Sequence, residues 1–174
     1  METLKYKDDT DRSYGATGMA IGLVIFDGED MLASINIDSD PNEMVAMSPD
    51  FYFAGNPGVS AKTAWNQMLK NYNLGIAMLM SNLLCRHLVS ARKALPPALR
   101  DCLHEIAVEE GRQACSLEND EIDRLFEKNI SYLTKVFSHR GVQSVAHDFA
   151  AELLARRSLS RLDVLEQLEA LRVL

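Results

Sequence analysis

Residues 61–93 contain no proline and a single glycine, Gly75, and the stretch ends just before the Pro96-Pro97 pair. Ser60 stands directly before it with a side chain suited to accept a hydrogen bond from a first-turn amide, so the pattern predicts one helix of roughly thirty residues, on the order of 50 Å long. Trp65, Met68, Leu69 and Tyr72 recur at helical spacing, after which residues 74–89 are apolar almost all round. A helix of that kind is stable only when other elements enclose it. The rest of the chain must therefore be arranged around this spine.

Pro96-Pro97 forces a stop and a restart, because a residue before proline avoids the helical region while proline itself suits a first turn. Amphipathic patterns then predict a helix over residues 97–115, with Leu99, Cys102, Leu103, Ile106 and Ala107 inward. A second covers 119–138, with Ile122, Leu125, Phe126, Ile130, Leu133 and Phe137 inward, and a third covers 143–157 around Val145, Phe149, Leu153 and Leu154. Ser160 followed by Asp163 has the form of a capping box and starts a last helix.

Ahead of the spine the period changes. Residues 19–26 and 31–37 are β-rich apolar runs joined by Asp27-Gly28-Glu29-Asp30, a step that supplies the positive φ of a tight turn, so a hairpin is expected there. In the second run Met31, Ala33, Ile35 and Ile37 share one face. Short pieces at 44–47 and 51–54, split by Pro49, add one or two further strands. Residues 1–15 carry no period and read as a mobile segment. The expectation is α+β: a small antiparallel sheet within residues 17–54, packed on a long central helix and a helical bundle over 59–174, all in a single domain of 174 residues.

Leu159, Leu162, Leu165, Leu168, Leu171 and Leu174 recur every three residues. Since a helix turns about 100° per residue, that step walks round the cylinder and places leucines on more than one side. Either the helix is enclosed by its own domain or part of that surface meets another chain, and the second option suggests self-association as a homo-oligomer and with it a non-enzymatic assembly protein.

The net charge of −7 is unevenly distributed: residues 1–58 hold eleven carboxylates against three cations, and residues 59–174 are nearly balanced. Such an acidic field disfavours nucleic acid, whose phosphates need clustered Lys and Arg, and leaves open a basic partner for the N-terminal third. The first nine residues hold no apolar stretch after a basic cap, and the run 74–84 is too short to span a bilayer, so a cytoplasmic protein without membrane contact is expected. Cys85, Cys102 and Cys115 form no CxxC pair and sit within apolar helical patterns, as reduced core cysteines do.

No cofactor motif or catalytic set is complete. Residues 55–63 resemble a phosphate-binding loop, but Asn56 stands where its first glycine belongs and Ala61 where a glycine should precede Lys62. His87, His104, His139 and His147 include only one helical pairing with a carboxylate, Asp101 with His104, which is too few ligands for a metal. Arg86 and His87 flank Cys85, yet residues two apart on a helix point about 200° apart, so no thiolate–imidazole pair forms. Asp27, Glu29 and Asp30 lack the alternation of a calcium loop. The alternative to assembly is a small-molecule binder or an enzyme of unrecognised type, with a pocket where the sheet meets the long helix near Phe51, Lys62 and Trp65.

Overall fold

The computed structural model describes residues 5–52, 58 and 60–173. Its centre is the expected spine. Helix α2 spans Ala61–Leu84, is capped by the Ser60 side chain accepting from the Thr63 amide, and continues without a break into a π-helical turn, Cys85–Ser90. The chain then turns through Arg92, at φ +52°, and restarts at the two prolines as α3, Pro97–Cys115. Helices α4, Asn119–Ser138, and α5, Arg140–Arg156, follow, and a short α6, Arg161–Leu168, carries the reciprocal Ser160–Asp163 capping box read from the sequence. No helix among the described residues is long and apolar enough to cross a membrane.

The first apolar run is not a strand. Residues 9–25 form a helix, α1 (Asp9–Ile25), capped by Asp8, whose side chain accepts from the Asp11 amide at 2.8 Å. The expected mobile segment thus contributes its last seven residues to an ordered helix. Asp27-Gly28 ends that helix and does not turn a hairpin: the Gly28 amide donates to Leu23 and the Asp27 amide to Val24, with Asp27 itself at φ +52°. This is the Schellman arrangement of a helix stop. A short apolar run has no decisive period, and what settles it as helix is packing: Gly15, Gly18 and Gly22 share the face of α1 laid against Ser81, Asn82 and Cys85 of the spine.

The sheet is smaller than expected and is completed from the far end of the chain. Strands β1 (Leu32–Asn36) and β2 (Val45–Met47) form an antiparallel hairpin, and β3 (Ser158–Ser160) pairs with the other edge of β1, giving the order β2-β1-β3. A register shift between Leu32 and Ser34 resets the alternation, so Leu32 is buried and Ala33 exposed while Ile35 and Ile37 still point inward. The segment after Pro49 is a 3-10 turn, Pro49–Tyr52, so Phe51 is not in a strand; the remainder of the expected strand at 53–54, like residues 55–57 of the loop motif, lies outside the described residues.

The C-terminal leucines divide by environment. Leu159, Leu168 and Leu171 are buried, and Leu162 stands 78 % exposed. The short α6 is followed by a 3-10 turn, Glu169–Val173, and this change of pitch brings Leu168 and Leu171 to the same inner side. Leu168→Ala is expected to destabilise the protein by about 2 kcal/mol, and Leu162→Ser to change it by less than ~0.5 kcal/mol, in urea denaturation followed by circular dichroism.

The acidic N-terminal third is met by the chain's own arginines. Arg157 pairs with Asp9 at 2.8 Å and with Asp38, Arg161 with Asp30 at 2.9 Å, and Arg172 with Glu29 at 3.4 Å. These pairs lie at the surface and each contributes little, yet they tie the C-terminal segment to α1 and to the turns on either side of β1. The buried exception is Arg86. Its guanidinium donates to both oxygens of Asp11 at 2.8 and 2.6 Å and to the Lys5 carbonyl at 2.8 Å, and it lies 4.5 Å from the Tyr6 ring centre.

Candidate functional site

Beside the first half of α2 the helices part. Asn71, buried on α2, donates through its amide nitrogen to the carbonyls of Asp50 and Phe51, at 3.3 and 2.9 Å, and accepts from Gln67 at 2.9 Å. This clamp holds the 3-10 turn against the helix and fixes Phe51 and Tyr52, whose rings meet edge to face at 5.3 Å. On the opposite side Tyr72 reaches under α3, where its hydroxyl donates to the Ala107 carbonyl at 2.8 Å. Gly111 makes this approach possible, because a side chain there would sit 2.8 Å from the Tyr72 oxygen and 3.0 Å from Ile122. Trp65 ties the lower end of α2 to α3 by donating from its ring nitrogen to the Cys115 carbonyl at 3.2 Å.

Between these walls lies a cleft of about 360 Å³ lined by Phe51, Tyr52, Met68, Asn71, Tyr72, Glu110, Gln113 and Ala114. The volume falls within the range of small-ligand sites, and aromatic and thioether surface dominates the lining. Its polar groups are mostly engaged already: Asn71 in the clamp, the Tyr72 hydroxyl on Ala107, and the Gln113 amide nitrogen on Glu109 at 3.4 Å. Glu110 differs. Among the described residues its half-buried carboxylate makes no hydrogen bond or ion pair. Burial, and after it the charge of Glu109, raises its pKa above the ordinary glutamate range. Burial, and after it the charges of Cys115 and Glu110, pushes Tyr72 up to about 12, so its hydroxyl stays protonated and serves as a fixed donor.

Of the residues singled out in the sequence, Phe51 lines this cleft. Trp65 lies one helical turn before Met68 and is bonded to the end of α3, and Lys62 is exposed in the first turn of α2; neither lines it. The cleft opens between α2, α3 and the 3-10 turn, without the sheet. Glu110 escaped notice although the signal was present: it follows Leu103 and Ile106 on the inner stripe of α3, an acid where the pattern calls for an apolar residue.

Three of the other sequence candidates, Cys85, His104 and His147, are accounted for by packing. The Cys85 thiol is fully buried, which pushes its pKa far above the usual range and keeps it unreactive. His104 bonds Asp123 at 2.7 Å and stacks edge-on to Phe126, and His147 bonds the Tyr14 hydroxyl at 2.7 Å. Among the described residues no three His, Cys, Asp or Glu side chains converge as a metal site would require. Comparison with known proteins finds no matching family model, no similar curated protein and no similar solved structure.

Proposed function

We propose that the protein binds a small organic cation, an amine carried on an aromatic or compact apolar group, in the cleft between α2 and α3, with Glu110 as its counter-ion. The observation that carries this reading is the Glu110 carboxylate, unengaged among the described residues, on a mainly apolar and aromatic wall where Asn71, Tyr72 and Gln113 are already bonded. An ammonium there gains a charge-assisted hydrogen bond, and the rings of Phe51, Tyr52 and Tyr72 favour a cation through their electron-rich faces. Binding without a chemical step suits the lining, which among the described residues offers one free carboxylate and no serine, cysteine or lysine beside it. The homo-oligomer reading has less behind it, since burial within the chain accounts for Leu159, Leu168 and Leu171.

The test uses 2-phenylethylammonium and its neutral counterpart 2-phenylethanol, with emission from the sole tryptophan, Trp65, as the signal and calorimetry for affinity. The amine is expected to bind saturably, and Glu110→Gln to weaken it about tenfold, the loss of one charge-assisted contact, while leaving the alcohol unchanged. Because the fold disfavours the ionised form of Glu110, the same variant is expected to be no less stable than the parent. Equal amine affinity in the two proteins, or no saturable signal, overturns the proposal.

A further inference from the structure

At the far end of the spine a second cleft has the opposite polarity. The π-helical turn widens the helix and places Leu88 beside Leu84, and the connection to α3 lays Ala94 and Leu95 along one side. Helix α4 supplies the facing wall with Ile130, and the space enclosed is about 470 Å³. Leu84 and Ile130 are buried and Leu88 and Leu95 half-buried, so the floor is aliphatic, without the aromatic rings of the first cleft. Widened π turns recur at functional sites because they displace side chains from the regular helical rows.

The rim polar groups can be sorted by what they already hold. Arg100 pairs with Glu127 and lies over the Phe126 ring at 5.6 Å, and Thr134 donates to the Ile130 carbonyl at 2.7 Å. Lys135 has no ion pair among the described residues, and the Ser131 hydroxyl has no hydrogen bond there. What remains free is one ammonium and one hydroxyl donor above an aliphatic floor. With the Arg100–Glu127 pair neutral as a unit, the rim carries a single excess positive charge.

We infer that this cleft takes an unbranched aliphatic carboxylate, its alkyl chain along Leu84, Leu88, Leu95 and Ile130 and its head group on Lys135 and Ser131. Charge complementarity selects the carboxylate, and the absence of aromatic lining distinguishes the site from the amine-binding cleft. The two readings rest on different residues and stand or fall separately.

The probe is dodecanoate, titrated calorimetrically into the full chain below its aggregation concentration, with dodecanol as the uncharged control. One dodecanoate is expected to bind per chain. Lys135→Met, which keeps the alkyl stem on an exposed face of α4, is expected to weaken dodecanoate about tenfold and leave dodecanol unchanged. Ala94→Trp, which fills the mouth from an exposed position, is expected to abolish dodecanoate binding and leave 2-phenylethylammonium binding intact. Absence of saturable binding overturns the inference, as does dodecanoate affinity unchanged in either variant.

Discussion

Gly18→Val is expected to leave the protein without a stable fold. The face of α1 that carries Gly15, Gly18 and Gly22 lies against the spine, and a Cβ at Gly18 would press on the backbone carbonyl of Ser81, well inside contact distance, and sit 2.7 Å from the Cβ of Cys85. Backbone in the middle of a long helix has no rotamer to escape into, so α1 must lift away from α2. Lifting it unpacks Ala16, Ala20, Ile21 and Leu23, all buried. Overpacking alone costs about 1–3 kcal/mol, and with the lost burial added the total approaches the ~5–15 kcal/mol that holds a typical domain together. Gly18→Ala is expected to cost about 3 kcal/mol, the upper end of that overpacking range. Gly75→Ala serves as the control: among the described residues its Cβ would meet nothing nearer than Phe51 at 3.8 Å, so the gain in helix propensity should stabilise the protein by up to ~1 kcal/mol. Thermal denaturation followed by circular dichroism compares all three.

The second large effect is expected at Arg86. Its side chain is only 9 % exposed and that of Asp11 15 %, so removing the cation strands a carboxylate that has little water to replace it. Arg86→Met is expected to destabilise the protein by about 4 kcal/mol, as breaking a buried pair from one side does, and to release the Tyr6 segment from the spine. The pair also sets an acid response. Burial disfavours the Asp11 carboxylate, but the hydrogen bonds from Arg86 and the Lys7 amide, together with the charge of Arg86, outweigh it and hold the carboxyl below its ordinary range. A carboxyl lowered in the folded state contributes stability that is fully present above the unfolded pKa, near ~3.9, and is lost as pH falls through the folded value. Denaturation midpoints between neutral pH and about pH 3 should therefore fall more steeply for the parent than for Arg86→Met.

Much of the architecture was legible because it rests on punctuation. Pro97 and Ser60 begin helices where proline and serine at a first turn or cap require, and the strong single stripe of residues 119–138 appears as α4 over that very span. What escaped depends on partners distant in sequence. The run 19–26 is apolar without a decisive period, and its one glycine, Gly22, gains meaning with Gly18 just before it only once Ser81 is opposite them. Nothing near residue 158 announces a strand, because β3 exists by pairing with β1 across the whole chain. The leucine repeat suggested exposure on several sides, but Leu159 is buried in β3 and a change from α to 3-10 pitch turns Leu168 and Leu171 inward. At the site, Phe51 was readable as part of an aromatic cluster. Glu110 was readable only as an exception to the apolar stripe of α3, and the clamp made by Asn71 required the turn at Asp50 and Phe51 to be in place.

The claim that Glu110 is the counter-ion of a bound amine has a direct reading in the carboxyl group itself. With carboxyl-labelled glutamate, the Glu110 resonance is assigned by its absence in Glu110→Gln and followed by nuclear magnetic resonance across the acid range, with and without saturating 2-phenylethylammonium. Without ligand it should titrate above the ordinary glutamate value near ~4.3, and with the amine bound its midpoint should move down, because the ammonium favours the ionised form. By the same linkage, amine affinity should fall as pH drops through the raised value. A Glu110 midpoint that ignores a saturating amine would contradict the account.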